Sequence, residues 1–165
     1  MTTTQQKPTH RTPPTTRPST LIRAEHALIA FAGRIGVPAL RLTLAITFLW
    51  FGALKITNDT PVAAFVAGTV SWIPGVDGAW FVPLLGVVEV LLGAALLVNR
   101  GTRLVLPLLF AHLTSTFLAV VTQPDVTFQD GNPLMLTTEG EFVVKNFILL
   151  SAVLVLYGIQ RRRKT

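Results

Sequence analysis

Residues 79–98 read AWFVPLLGVVEVLLGAALLV, twenty positions of which only Glu89 is charged. A helix rises about 1.5 Å per residue, so twenty residues cover roughly 30 Å, the thickness of the hydrocarbon core of a bilayer. The stretch reads as a transmembrane helix. A carboxylate halfway along it costs roughly 2.5 to 3.5 kcal/mol on insertion scales, so another group should face it. Three more windows are long and apolar enough to cross, at about residues 38–56, 103–121 and 142–160. They predict an all-α fold, a bundle of four transmembrane helices embedded in the lipid bilayer and occupying residues 21–160.

The basic residues orient the bundle. Net charge is +6, and eleven of the fourteen Lys and Arg fall in three places. These are the N-terminal region (Lys7, Arg11, Arg17, Arg23, Arg34), the short connection at residues 99–103 (Arg100, Arg103) and the tail at residues 161–165 (Arg161, Arg162, Arg163, Lys164). The other two connections, residues 57–78 and 122–141, contain none. This positive-inside pattern predicts cytoplasmic N- and C-termini, in the cytoplasmic membrane. Trp50, Trp72 and Trp80 all fall near the opposite face, as an interfacial aromatic belt requires. Charge placed this way argues against nucleic-acid binding.

Residues 1–20 hold eight Thr and four Pro with no apolar run, so they are expected to be a disordered cytoplasmic tail and not a secretory signal. A short interfacial helix should follow from Leu21, entering the first span through Gly36 and Pro38. In the first outer connection, Asn58, Asp59, Thr60 and Pro61 form a helix-start signal before a short helix at residues 62–70. The second, residues 122–140, has room for a small hairpin limited by Pro133. Thr138 to Glu141 reads as a Thr-x-x-Glu capping box for the fourth span.

The chain has no Cys, which excludes disulfide relay and thiolate-held iron–sulfur clusters. His112 alone among the histidines falls within a span, so this chain cannot hold a haem between two intramembrane histidines. No metal-ligand set is assigned.

Helical spacing sorts the remaining polar residues into faces. Arg41, Ala45, Phe48, Gly52 and Lys55 follow steps of four, three, four and three, one stripe with a cation at either end. Glu89 lies between Gly86 and Gly93, on a small-residue face that another helix can approach closely. His112, Ser115 and Thr116 share a face of the third span; Lys145 and Asn146 sit near the outer end of the fourth. These eight residues are the expected intramembrane polar network: Arg41 on the cytoplasmic side, Glu89 and His112 near the midplane, Lys55, Lys145 and Asn146 outward. Plainer readings compete with it. Lys55 and Lys145 are close enough to span ends to snorkel to the interface, and Arg41 can reach headgroups instead of Glu89. His112, Ser115 and Thr116 can be interhelical hydrogen-bond partners only.

Three segments resemble a known family. RLTLAITFLWFGALK at residues 41–55 is similar to the first-helix signature of DoxX-like membrane proteins: an Arg, an apolar aromatic run, a Gly and a Lys. GVVEVLLG at 86–93 resembles the family's Gly-x-x-Glu second helix, and EGEFVVKN at 139–146 the fourth-helix entry of the YkgB-like branch. The resemblance covers about residues 34–160 and places Arg41, Lys55, Glu89 and Lys145 at motif positions. It implies a four-helix membrane protein linked with redox: a membrane subunit of a quinone-linked or oxidative-stress-defence system, with a partner protein supplying the electron-transfer centre. Arg41, Glu89 and His112 are the candidate quinone-binding residues, since Arg41 and His112 can donate to a quinone carbonyl and Glu89 can carry its proton. The chain has no self-contained catalytic or cofactor motif, so an enzymatic role would be that of a subunit. Two rivals are a non-catalytic assembly or interaction protein, and a small proton-coupled transporter working as a homo-oligomer.

Overall fold

The structure is a computed structural model in which residues 20–162 are described, with side chains as far as residue 160. The tail expected over residues 1–20 lies outside them as far as residue 19, as does the end of the basic tail, residues 163–165.

The elements are α1 (Thr20–Ile56), α2 (Ala63–Val70), α3 (Gly78–Leu97), α4 (Thr102–Ser115), α5 (Leu118–Thr122), α6 (Pro124–Thr127), a 3-10 turn (Gln129–Gly131) and α7 (Thr138–Arg162). Among the described residues, four helical stretches are long and apolar enough to cross a membrane: α1, α3, α4 with α5, and α7. Only 22–33% of their most apolar windows is buried within the chain, so most of the apolar surface faces outward, where lipid is its natural solvent.

Among the described residues, those as far as Ile35 form one unit and those from Gly36 form another, the bundle. The expected interfacial segment is helical with its side chains exposed, and it runs without a break through Pro38 into the first span. Proline removes one N–H from the ladder, but in an apolar medium the remaining backbone groups have no better partner than the helix.

Within the bundle, glycine sets the distances. A Cβ on Gly52 would come within 2.7 Å of the Gly86 carbonyl oxygen, and one on Gly86 within 2.6 Å of the Gly52 carbonyl. Farther along, a Cβ on Gly93 would meet the Ala45 carbonyl at 2.9 Å. Helices α1 and α3 therefore touch backbone to backbone along the face that carries Glu89, the small-residue packing expected where lipid provides no hydrophobic drive. Leu44, Ala45, Phe48, Leu92, Leu96, Leu106, Leu109, Leu113, Val153 and Leu156 fill the core between α1, α3, α4 and α7.

The ends of the bundle differ. At one, α3 and α4 join through a tight turn: Asn99 takes a left-handed φ of 54°, the Arg100 N–H donates to the Ala95 carbonyl, and Gly101 starts α4 at φ 63°. This is the turn end. At the loop end, α2, α5 and α6 pack over the bundle around Phe65, Ala119 and Val143. There the Gln123 side-chain amide donates to the Phe65 carbonyl (2.8 Å) and to Thr69 Oγ1 (2.9 Å), tying α2 to the end of the third span. The hairpin expected in residues 122–140 is reduced to one isolated antiparallel bridge, Phe128 with Leu136.

The start of α7 corrects the capping box by one residue. The Gly140 N–H donates to Thr137 Oγ1 at 3.1 Å, so Thr137 caps the helix and Thr138 is its first residue. At the position where the box expects a reciprocating carboxylate stands Gly140, because its backbone is pressed against the Thr127 carbonyl, where a Cβ would clash.

Candidate functional site

Where α1 ends decides the site. Asn58, with a left-handed φ of 62°, stops the helix: its N–H donates to the Lys55 carbonyl, and the Asp59 N–H reaches back to the Leu54 carbonyl at 2.9 Å. Lys55 packs beside Gly86, which lies eight residues into α3 and so roughly 12 Å along it. A helical side chain leans toward its own N-terminus. For Lys55 that direction leads into the bundle, and its ammonium descends one turn of α3 to Glu89.

The result is a buried triad. Lys55 Nζ donates to Glu89 Oε2 at 2.7 Å, and His112 Nε2 lies 3.0 Å from Glu89 Oε1. Lys55 and Glu89 are each only 5% exposed. In the tautomer that carries its proton on Nε2, His112 donates to Glu89 Oε1 and presents Nδ1 as an acceptor. The imidazole is held in place by the edge of Phe48, ring centres 5.8 Å apart. Lys55 gives one of its three ammonium protons to Glu89, and among the described residues the other two have no partner.

The triad forms one wall of a cavity of about 340 Å³ at the loop end. Phe48, Phe51, Phe65 and Phe81 contribute aromatic surface, and α2 lines the cavity through Phe65, Val66, Thr69 and Val70. Polar groups reach it from several elements, among them Lys55, Glu89, His112, Ser115, Thr116 and Asn146. Such a space, mostly apolar with a few fixed polar groups, suits a lipophilic ring carrying oxygen atoms.

The third span breaks beside this cavity. Ser115 Oγ donates to the His112 carbonyl (2.7 Å) and Thr116 Oγ1 to the Leu113 carbonyl (2.6 Å), while the following backbone N–H groups bond three residues back. These local bonds compete with the α-helical ladder and leave a short 3-10 joint between α4 and α5. Asn146 Nδ2 donates to Thr116 Oγ1 at 2.9 Å, so α7 braces the joint.

Four sequence expectations thus divide. Glu89 and His112 meet, a contact that the depth estimate allows. Lys55 joins them and does not snorkel outward, because α1 stops well short of the level where α3 begins. Asn146 turns inward and is 6% exposed, whereas neighbouring Lys145 is outside, its side chain 69% exposed and paired with Glu141 one turn away. Arg41 is absent from the Glu89 cavity. Fourteen residues separate it from Lys55, roughly 21 Å along a helix, and it lines a second cavity at the turn end. Sequence reading overlooked Phe65 and Gln123, whose roles depend on how α2 folds back over the bundle.

The matched segment contains the whole triad. Residues 36–122 match the family model for DoxX, more than half of the chain. The chain belongs to the DoxX family. In this DoxX-family protein the matched region ends at the last residue of α5, so Lys55, Glu89, His112 and Thr116 lie inside it and Asn146 beyond it. No curated protein and no solved structure matches the chain.

Proposed function

We propose that this multi-pass DoxX-family membrane protein binds a quinone in the loop-end cavity and serves as the membrane subunit of a quinone-linked redox or oxidant-defence system. The observation that carries this reading is the placement of the Lys55–Glu89–His112 triad in the wall of a cavity lined by aromatic side chains. A quinone enters as substrate from the bilayer, its ring among the phenylalanines. One carbonyl oxygen accepts from the free Lys55 ammonium protons, and the quinol's hydroxyl donates to His112 Nδ1. Reduction takes two electrons, supplied by the redox centre of a partner protein, and two protons, one for each quinone oxygen. Glu89 holds both basic side chains in register and lies on the path by which protons reach His112. The distribution of basic residues supports a setting in the cytoplasmic membrane with both termini on the cytoplasmic side.

The test is titration of the purified protein, in lipid nanodiscs, with a short-chain ubiquinone and a short-chain menaquinone analogue. Wild type should bind at least one, and Lys55→Met or Glu89→Gln should weaken that binding by tenfold or more. Absence of binding to both analogues, together with unchanged oxidant tolerance of cells carrying Glu89→Gln, would sink the proposal.

One observation favours a second reading, that of a non-catalytic assembly protein: both carboxyl oxygens of Glu89 are engaged by side chains of the bundle, Lys55 and His112. On that reading, loss of Glu89 lowers folded yield and partner capture, and quinone has no effect on either.

A further inference from the structure

At the turn end, a second cavity of about 230 Å³ is lined by Arg41, Asn99, Thr102 and Gln160, with Leu96 and Leu156 among its apolar walls. A water needs only about 10–15 Å³, so this space admits a polyatomic group. None of its lining residues is acidic, and half-buried Arg41 makes no hydrogen bond or ion pair among the described residues. The Gln160 side chain is held by Thr102, its Nε2 donating to Thr102 Oγ1, which bridges α7 to the start of α4 at the cavity wall. The backbone of Asn99 is set by the left-handed turn that ends α3, and its side chain is exposed at the cavity rim. A guanidinium in an apolar bundle needs an anion, and among the described residues none lines this cavity. Its planar fork of donors matches a phosphate oxygen pair, and amide groups around it complete hydrogen bonds to the same oxyanion.

We infer that this cavity is a binding site for a phosphate-class oxyanion, with Arg41 as the charged anchor and Asn99 and Gln160 as neutral donors. The group can arrive as the headgroup of an anionic phospholipid or as free phosphate. The apolar walls continue into the bilayer-facing helices, which suits a lipid whose chains run along α1 and α7. The site is separate from the triad and does not depend on the quinone reading.

The experiment uses the full-length protein, delipidated in a neutral maltoside detergent. Dioleoyl phosphatidylglycerol is titrated in one arm, inorganic phosphate in a second, and sodium chloride at matched ionic strength in a third. Binding is read by native mass spectrometry and thermal stability. Retained phosphatidylglycerol identifies the lipid source, whereas stabilisation by phosphate alone identifies the free anion, and either supports the site. Arg41→Gln should weaken the response about tenfold. Arg41→Lys, which keeps the charge but not the fork, should fall between, and Gln160→Ala provides an independent measurement should Arg41→Gln fold poorly. Arg103→Gln, an exposed cation at the same end outside the cavity, should leave the response unchanged. Equal responses from Arg41→Gln, Gln160→Ala and wild type, or no response to lipid and phosphate beyond that to chloride, would overturn the inference.

Discussion

Each of the two cavities contains one cation from α1, and the bundle treats them in opposite ways. Lys55 at the loop end meets a carboxylate and a histidine and disappears from the surface. Arg41 at the turn end has polar neighbours but no acid. An internal pair ties helices together, because separating them would strand a charge in a medium of low dielectric constant. A cation without a counter-charge contributes little to holding the helices and is left to attract an anion from outside. The same stripe of one helix thus performs a joining task at one end and a binding task at the other.

The strongest test of that contrast is to strand the lysine. Glu89→Gln should cost about 3–5 kcal/mol of stability, the usual penalty for removing one partner of a buried ion pair. Chemical unfolding in detergent would measure it. The double variant Lys55→Met with Glu89→Gln should recover most of the loss. If single and double variants are equally unstable, the pair is not a unit and the contrast with Arg41 collapses.

Next in size is the contact that brings the pair into register. Gly86→Ala places a Cβ against the backbone of α1, and should cost about 1–3 kcal/mol as the helices move apart. The readout that separates this from general damage is quinone affinity, which should fall along with stability because Lys55 and Glu89 separate.

A smaller effect sharpens the comparison of neighbours on α7. Asn146→Leu removes the brace on Thr116 and should cost about 0.6–1.7 kcal/mol, the range for interhelical hydrogen bonds in membranes. Lys145→Gln breaks only an exposed pair one turn long and should change stability by about 0.3–0.5 kcal/mol. Thermal denaturation of the two variants side by side decides it; similar losses would mean that the α4–α5 joint is not held by α7.

The smallest change in stability should come from Arg41→Gln. In lipid-free detergent it removes no internal partner, so about 0.5 kcal/mol or less is expected. Adding anionic lipid should stabilise wild type and not the variant. A large loss in the absence of lipid would show that Arg41 has an internal role after all, and the two ends would then be alike.

Much of this was written in the local pattern. The length and apolarity of residues 79–98 determined that a helix crosses a membrane, since backbone groups in hydrocarbon can be satisfied in few ways. The spacing of Gly86, Glu89 and Gly93 placed the carboxyl on a packed face, and that of Arg41 to Lys55 placed two cations on one stripe, because helical periodicity is a property of the chain itself. The depths of Glu89 and His112 followed from the rise per residue. Only the tertiary structure decided which cation Glu89 meets. That depends on the axial offset of α1 against α3, fixed where Gly52 and Gly86 touch, and on the early stop of α1 at Asn58. The offset turns Lys55 inward, leaves Arg41 far from Glu89, and lets α2 fold over the resulting gap to form a cavity. Periodicity assigns a residue to a face, whereas partners are chosen by how two helices are shifted past one another, and that shift is set by contacts distant in sequence.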